Sequence, residues 1–319
     1  MGRRDFPKKY TRKPDVLCYH CPMLKIPLAL LKSMRPKQWA KNGFLFAGLI
    51  FDRQLAHIGP LLHVVAGFFI FCLLSSVIYI LNDLTDLEAD RQHPRKRLRP
   101  LPSGDLPIPV ALAAAIIFLI VIFPFAFFLS KVFFLFCILY LLLNLAYSYW
   151  LKHVAILDVL VLASFYVLRV GAGVSLIVVT QFSPWLYVFT TFLALFLGVG
   201  KRRAEMVLLQ NGANSHRKVL EGYSLPLLDQ LLTMVSTMAI MTYSLYTFSA
   251  SNLPPNHLMM LTIPFVIYGL FRYLSLIQVE QRGGEPEEIL FTDRPLLITL
   301  FLFGLSILII FYYNRLVSF

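Results

Sequence analysis

Apolar segments long enough to cross a lipid bilayer recur along this chain from residue 41 to the C-terminal end. Hydrophobic residues make up 58% of the chain and charged residues 14%, whereas soluble domains are about half apolar and about a quarter charged. The pattern predicts an all-α integral membrane protein, a bundle of about nine transmembrane helices around a central cavity. The predicted spans are 41–57, 60–84, 108–128, 131–150, 156–178, 185–202, 225–250, 257–275 and 295–314.

The distribution of basic residues predicts how the bundle is oriented. The formal net charge is +12, and on a membrane protein such an excess indicates topology and contact with anionic lipid before it indicates nucleic acid. Of the 29 Lys and Arg residues, 25 lie in segments that share one side of the membrane with the N-terminus. We expect a multi-pass protein of the cell membrane with a cytoplasmic N-terminus, a cytoplasm-facing cavity and, after an odd number of helices, an outside C-terminus.

The first 25 residues are rich in Lys, Arg and Pro and lack a sustained apolar face. They are expected to form a basic, disordered cytoplasmic tail, and residues 26–319 the transmembrane domain. Cys18 and Cys21 flank His20 and could hold a metal, but no second pair completes a set of four ligands. No short apolar core with a cleavage site follows the basic start, so no cleaved signal peptide is expected.

Three aspartates follow one another at helical spacing at the end of the second span. Asp83, Asp86 and Asp90 would fall on one helix face, with Asn82 stacked over Asp86. Like charges destabilise a helix unless something neutralises them, and Mg²⁺ carrying substrate phosphates is one neutraliser. Salt bridges to the basic loop that follows are the alternative. We call Asn82, Asp83, Asp86 and Asp90 the acidic motif, with the three aspartates as catalytic candidates and all four as metal ligands.

Five bases follow the acidic motif between residues 91 and 99. Acids that hold a metal beside bases that clamp oxygens form the two halves of a diphosphate site, since Arg supplies bidentate geometry and Lys a point charge. Positive charge on a cytoplasmic loop is the alternative explanation. The candidate substrate-binding residues here are Asn82, Arg95, Lys96 and Arg99.

Further polar side chains lie at the cytoplasmic ends of the other predicted spans. Lys37 and Lys41 are four residues apart and would share one face of an α-helix, although attraction to lipid headgroups also explains them. Lys201 could pair with Glu205 instead, and Asp158 could simply favour a helix N-terminus. The candidate substrate-binding residues at these ends are Lys37, Lys41, Tyr147, Lys152, Asp158, Lys201, Arg202 and Arg272.

Arg169 lies about half-way through the fifth predicted span. Charge inside a membrane is costly and is usually functional. Arg169 is therefore a candidate for binding a substrate anion in a polar cavity. The alternative is a structural role, in which it bonds carbonyls of a broken helix near Gly171 and Gly173.

The spacing Asn82-Asp83-x-x-Asp86-x-x-x-Asp90 at the end of a span, together with the nine-helix layout, resembles the UbiA superfamily of intramembrane prenyltransferases. Further segments resemble its decaprenyl-phosphate phosphoribosyltransferase branch over residues 35 to about 300. These segments are Arg35-Pro36-Lys37-Gln38-Trp39-x-Lys41-Asn42, residues 82–100, Tyr147-Ser148-x-x-Leu151-Lys152 with Asp158, and Leu168-Arg169-Val170.

The resemblance implies that residues 26–319 are a UbiA-type catalytic domain with Mg²⁺ as cofactor. It also implies transfer of 5-phosphoribose from 5-phosphoribosyl 1-diphosphate to a polyprenyl phosphate, with release of pyrophosphate, for cell-wall arabinose. The expected partners are these two substrates and the lipid bilayer, and a homo-oligomer is compatible with the chain.

The second half of the chain favours this branch over an aromatic prenyltransferase, which generally has a second Asp-rich motif. In the corresponding loops of this chain, Asp158 and Glu205 lie among Lys152, Lys201 and Arg202. This second site is therefore basic, and it suits phosphates that are not released in the reaction, such as a ribose 5-phosphate or a lipid phosphate. Two alternatives stay open. One is an aromatic, quinone-type prenyltransferase that uses a polyprenyl diphosphate, and the other is a non-catalytic carrier of lipid phosphates.

Overall fold

The computed structural model describes residues 22–94, 96–179, 183–210, 218–251, 253–254, 256–280, 289 and 292–316. All regular secondary structure in these residues is helical, and eight helices within them are long and apolar enough to cross a membrane. They are α3 (Ile58–Thr85), α6 (Ile108–Leu129), α7 (Lys131–Tyr149), α8 (Leu157–Val174), α9 (Pro184–Gln210), α10 (Leu225–Ser249), α11 (Ile263–Gln278, after a 3₁₀ turn at Leu258–Thr262) and α12 (Arg294–Leu316).

The first helix of the described residues, α1 (Pro22–Ser33), overlaps the predicted tail, which ends at residue 25. Cys18, His20 and Cys21 lie outside the described residues. Helix α1 exposes Ile26, Leu28 and Leu31. Exposed apolar side chains beside a bundle of membrane helices are consistent with contact with lipid.

The segment predicted as the first span is not a regular α-helix. It consists of a 3₁₀ helix, Pro36–Leu45, followed directly by α2 (Phe46–Phe51), and we call these 16 residues the composite segment. At rises of about 2.0 and 1.5 Å per residue, the two pieces extend about 29 Å. That length matches the hydrocarbon thickness of a bilayer, about 30 Å.

Contacts at its two ends show that the composite segment runs the length of the bundle. Arg35, just before it, pairs with Asp83 near the end of α3. Gln54, just after it, donates to the carbonyl of Val178 beyond the far end of α8, at 2.7 Å. The segment is therefore a ninth crossing beside the eight long helices.

Three residues per turn give the 3₁₀ helix three distinct faces, because residues i and i+3 eclipse one another. One face is exposed, one packs against α3 and α8, and the third is partly buried. The faces are Lys37, Ala40 and Gly43 (exposed), Trp39, Asn42 and Leu45 (packed), and Gln38, Lys41 and Phe44 (partly buried). The prediction that Lys37 and Lys41 share a face is wrong, since it assumed 3.6 residues per turn.

Small residues on the neighbouring helices let the composite segment pack closely. A Cβ on Gly173 of α8 would lie 1.9 Å from the carbonyl oxygen of Leu45, so only glycine allows this approach. On α3, Ser76 Oγ accepts from Trp39 Nε1 at 3.1 Å, and Ser75 Oγ accepts from Asn42 Nδ2 at 3.2 Å. Small and hydroxyl residues commonly serve membrane helix packing in this way.

Two clusters of buried apolar side chains hold the bundle together. One lies among α1 to α8, which include the short helices α4 (Leu87–Gln92) and α5 (Pro100–Ser103), and contains Leu45 and Phe71. The other lies among α8 to α12 and contains Phe196 and Tyr243. Helix α8 contributes to both clusters, through Phe165 to the first and Val159 to the second. The site described next lies along this shared helix.

Candidate active site

The acidic motif lies where α3 ends. Helix α3 stops at Thr85, Asp86 takes φ −94° and ψ 10°, and a short helix, α4 (Leu87–Gln92), begins after it. The expectation of one continuous helix face is therefore wrong. Asp86 is 44% exposed at its side chain and lies 3.5 Å from Lys152 Nζ.

Asp83 and Asp90 still face the same way, and bases surround both. Each is 1% exposed. Arg99 Nη1 donates to both, at 3.1 Å to Asp83 Oδ1 and 2.6 Å to Asp90 Oδ2. Arg35 also pairs with Asp83, and Lys96 Nζ lies 3.3 Å from Asp90. The salt bridges considered as the alternative are thus present, and Arg95 lies outside the described residues.

The donor chemistry of the acidic motif fits Mg²⁺, which prefers carboxylate and amide oxygens. Asn82 Oδ1 points to the neighbouring helix, where it accepts from Ser148 Oγ at 2.7 Å. In the described part of the chain no three His, Cys, Asp or Glu side chains are gathered around a metal position. Instead the guanidinium of Arg99 lies between Asp83 and Asp90, so a cation already occupies the place between the two carboxylates.

A polar cavity of about 190 Å³ extends from Asn82 into the bundle. Its wall includes three cationic residues, four tyrosines and two asparagines. They are Lys41, Arg169, Lys201, Tyr79, Tyr140, Tyr147, Tyr166, Asn82 and Asn144. The structure thereby brings together five of the predicted site residues: Lys41, Asn82, Tyr147, Arg169 and Lys201.

Arg169 is 4% exposed and its guanidinium has three protein acceptors. Nε donates to Asn42 Oδ1 at 2.9 Å, Nη1 to the carbonyl of Phe165 at 2.9 Å, and Nη2 to the hydroxyl of Tyr140 at 2.5 Å. It therefore ties the composite segment to α7 and α8, and does not bond carbonyls at Gly171 or Gly173. Arg169 also belongs to the wall of the polar cavity.

A second, apolar cavity of about 360 Å³ lies between the composite segment, α9, α11 and α12. Its wall is mostly aromatic and aliphatic, with Phe44, Phe189 and Phe196 among its members. Leu297 and Leu300 belong to this wall and are 37% and 43% exposed. The cavity therefore reaches the surface of the bundle that faces lipid.

Asp158 and Arg202 pair with each other and line neither cavity. They are 0% and 1% exposed, and Arg202 Nε donates to Asp158 Oδ2 at 2.5 Å. Arg202 also pairs with Glu205 and donates to the hydroxyl of Tyr147 at 3.2 Å. The structure thus places Arg202 behind Tyr147, which it holds in the wall of the polar cavity, and does not bring Asp158 or Arg202 to the substrate position predicted for them.

Tyr223 completes this buried group from the loop before α10. Its hydroxyl donates to Asp158 Oδ1 at 2.6 Å and accepts from the backbone N–H of Ile156 at 2.6 Å. Burial first, and then the hydrogen bond to Asp158, raise the pKa of Tyr223 above its usual value. The hydroxyl therefore remains protonated at neutral pH and joins α8 to the loop.

Two other predicted residues lie away from both cavities. Arg272 Nη2 lies 2.6 Å from Asp293 and 3.2 Å from Glu280, so it links α11 to the start of α12. Lys37 lies on the exposed face of the 3₁₀ helix. The substrate-binding predictions for these two residues do not match their positions.

Sequence reasoning missed several residues of the polar cavity. Tyr140 and Asn144 precede the predicted Tyr147 by seven and three residues, and this polar stripe in an apolar helix was a signal that could have found them. Arg35 precedes Pro36 and takes φ 52°, which directs the chain back over Asp83. No sequence signal distinguished Tyr79 or Tyr166 from ordinary aromatic residues of a span.

The fold and the cavity define a class of protein: a multi-pass membrane enzyme whose polar, basic site lies inside a helical bundle beside an acidic motif. The chain belongs to the UbiA prenyltransferase family, whose sequence profile matches residues 44–291.

Two curated relatives are similar over most of the chain, and both are called decaprenyl-phosphate phosphoribosyltransferase. The protein of Corynebacterium glutamicum is 31% identical over 279 residues, or 84% of this chain and 82% of its own length. The protein of Mycobacterium tuberculosis is 32% identical over 284 residues, or 86% of this chain and 91% of its own length.

The fold resembles a solved UbiA homolog from Archaeoglobus fulgidus, which was determined with DMAPP and Mg²⁺ bound. The TM-score is 0.68 at 20% sequence identity, and the match covers 89% of this chain and 99% of the other. At that identity the likeness shows the fold alone. It confirms the predicted all-helical membrane architecture.

Proposed function

We propose that this protein transfers a 5-phosphoribosyl group from 5-phosphoribosyl 1-diphosphate to a polyprenyl phosphate and releases pyrophosphate. The observation that carries the proposal is the similarity of 84% and 86% of the chain to two curated phosphoribosyltransferases. The geometry supports it, because a basic cavity inside the bundle begins at the acidic motif. Both substrates carry phosphate, which such a cavity suits.

The leaving diphosphate is assigned to the acidic end of the polar cavity. The acidic motif would hold Mg²⁺, which when bound neutralises charge on the departing pyrophosphate. Arg99 and Lys96 contact the carboxylates of this motif and therefore lie beside the place where diphosphate oxygens would bind. Their donors suit phosphate oxygens, Arg in a bidentate manner and Lys as a point charge.

The reaction needs little proton transfer. The bond between ribose C1 and the diphosphate oxygen breaks, and its electron pair leaves with pyrophosphate, while an oxygen of the lipid phosphate forms the new bond to C1. That oxygen is already anionic at neutral pH, so no general base is required. A cavity inside the bundle also limits the access of water, which would otherwise hydrolyse the activated sugar.

The phosphates that do not leave are assigned to the basic part of the cavity wall. Lys41, Arg169 and Lys201 line it, and they come from the composite segment, α8 and α9. An acidic second site would suit a second metal-bound diphosphate, whereas three cations suit phosphates bound directly.

The acidic end of the bundle is assigned to the cytoplasm, since most basic residues lie in loops on that side. With the composite segment and the eight long helices of the described residues taken as the crossings, this orientation assigns the C-terminal end to the outside. Single cysteines introduced at Ser103 and His57, both exposed and at opposite ends of the bundle, test this orientation in a variant whose four native cysteines are replaced by serine or alanine. A membrane-impermeant thiol reagent should label the His57 variant in intact cells and spare the Ser103 variant, and the reverse result refutes it.

The activity test uses purified protein in lipid nanodiscs with labelled 5-phosphoribosyl 1-diphosphate, MgCl₂ and a panel of polyprenyl phosphates. Mass analysis should find a polyprenyl phosphate that has gained one phosphoribosyl group, and chelation of the metal should abolish the product. Transfer of a prenyl group to an aromatic acid, with none of a sugar, would overturn the proposal in favour of an aromatic prenyltransferase. Binding of lipid phosphate without any turnover would favour a carrier.

A further inference from the structure

Lys41 lies where the polar and apolar cavities meet. Three residues line both cavities: Lys41, Tyr166 and Leu197. Within the described part of the chain, Lys41 is the cation that the two walls share, because Arg169 and Lys201 line only the polar one. A ligand that occupies both cavities would lie beside this lysine.

The winding of the composite segment places Lys41 there. With three residues per turn, Lys41 and Phe44 lie on one face and both line the apolar cavity. The next residue, Asn42, is 0% exposed and bonds to Arg169 and Ser75. These bonds fix the rotation of the helix about its axis, so the face that carries Lys41 is held toward the cavities.

The chemistry of the junction defines its ligand. An apolar cavity that opens beside Leu297 and Leu300 suits a hydrocarbon chain whose remainder extends into the bilayer. The polar cavity on the other side suits an anionic head. A lysine ammonium between them is a compact point charge that suits a phosphate monoester.

We propose that Lys41 binds the phosphate of the polyprenyl phosphate acceptor while the isoprenoid chain occupies the apolar cavity. This inference rests on the proposed function, and it names Lys41 as the residue that selects a lipid phosphate over the corresponding alcohol. The donor has no apolar part that would fill the second cavity, so its phosphates belong to the acidic and deeper parts of the polar cavity.

The test measures binding without the donor. Purified protein in nanodiscs is titrated with decaprenyl phosphate and with decaprenol, and the variants are Lys41→Gln, Lys41→Arg and, as a matched control on the exposed face, Lys37→Gln. The wild-type protein should prefer the phosphate by about tenfold to a hundredfold, as expected for a hydrogen bond between charged groups. Lys41→Gln should lose most of this preference, and Lys41→Arg and Lys37→Gln should keep it.

The affinity for decaprenol serves as the folding control, because it should be the same in all four proteins. A Lys41→Gln protein that binds decaprenol normally and still prefers the phosphate overturns the inference. So does a Lys41→Gln protein that keeps its preference for decaprenyl phosphate but, in a separate titration, loses affinity for 5-phosphoribosyl 1-diphosphate, since Lys41 would then bind the donor. Failure of the wild-type protein to transfer phosphoribose refutes the proposed function. Because transfer is measured separately from binding, the titrations still show whether Lys41 distinguishes decaprenyl phosphate from decaprenol.

Discussion

Replacement of Gly173 by Ala tests the close packing of the composite segment on α8. The added Cβ would lie 1.9 Å from the carbonyl oxygen of Leu45 and 2.6 Å from its carbonyl carbon. Ordinary contacts between carbon and oxygen are about 3.3 Å or more, so the two backbones must separate by about 1.4 Å. A side-chain rotation cannot relieve the clash, because the opposing atoms belong to the backbone.

The expected loss of stability can be calculated from the interactions that this separation of the backbones would break. The hydrogen bond from Arg169 to Asn42 is 2.9 Å long, and a displacement of about 1.4 Å would exceed hydrogen-bond range. Losing a bond to a charged group costs about 1.5–3 kcal/mol, and overpacking costs about 1–3 kcal/mol. We expect a loss of about 2.5–6 kcal/mol in the free energy of unfolding, together with lower activity because Lys41 shifts with the segment.

The assay is thermal unfolding in detergent together with phosphoribosyl transfer, and the matched control is Gly43→Ala. A Cβ on Gly43 meets no atom within 4 Å, and alanine favours a helix over glycine by about 0.5–1 kcal/mol. The control should therefore keep or slightly raise the melting temperature. A Gly173→Ala protein with the melting temperature and activity of the wild type would refute the packing argument.

Three further predictions concern the charged groups. Asp86→Asn should abolish phosphoribosyl transfer while Glu88→Gln, exposed on α4, retains it; equal activity of the Asp86 variant at limiting Mg²⁺ contradicts the metal assignment. Arg272→Gln should lower the melting temperature without changing the KM for the donor or for the acceptor, because Arg272 links two helices; a raised KM would indicate that Arg272 binds substrate. Tyr223→Phe should reduce the free energy of unfolding by about 1–3 kcal/mol, measured by denaturation in mixed micelles, and an unchanged value contradicts its linking role.

The bundle and the acidic motif could be predicted because their signals are local. Runs of apolar residues define membrane helices without knowledge of their partners. The spacing predicted that Asp83, Asp86 and Asp90 share one helix face; the helix breaks at Asp86, but Asp83 and Asp90 still share Arg99 as a partner. The roles of these residues in catalysis stay predictions.

The winding of the composite segment could not be predicted because it depends on distant residues. Its packed face meets Gly173 and two serines of α3, and no local signal distinguishes a 3₁₀ helix from an α-helix there. The prediction that Lys37 and Lys41 share a helix face was wrong for this reason. The ion pairs of Arg202 and Arg272 could not be predicted either, because Asp158 and Asp293 lie in other segments of the chain.

The ion pairs at the end of α3 have a consequence for the order in which ligands bind. Asp83 and Asp90 contact Arg35, Lys96 and Arg99, so the resting site carries one more positive than negative charge. A bare divalent cation would meet repulsion there, whereas an anionic metal–diphosphate complex would be attracted. If Asp83 and Asp90 hold Mg²⁺, their carboxylates would have to release Arg99, whose guanidinium would then be available to phosphate oxygens. The affinities for metal and donor would then be coupled, and we expect each ligand to tighten the binding of the other.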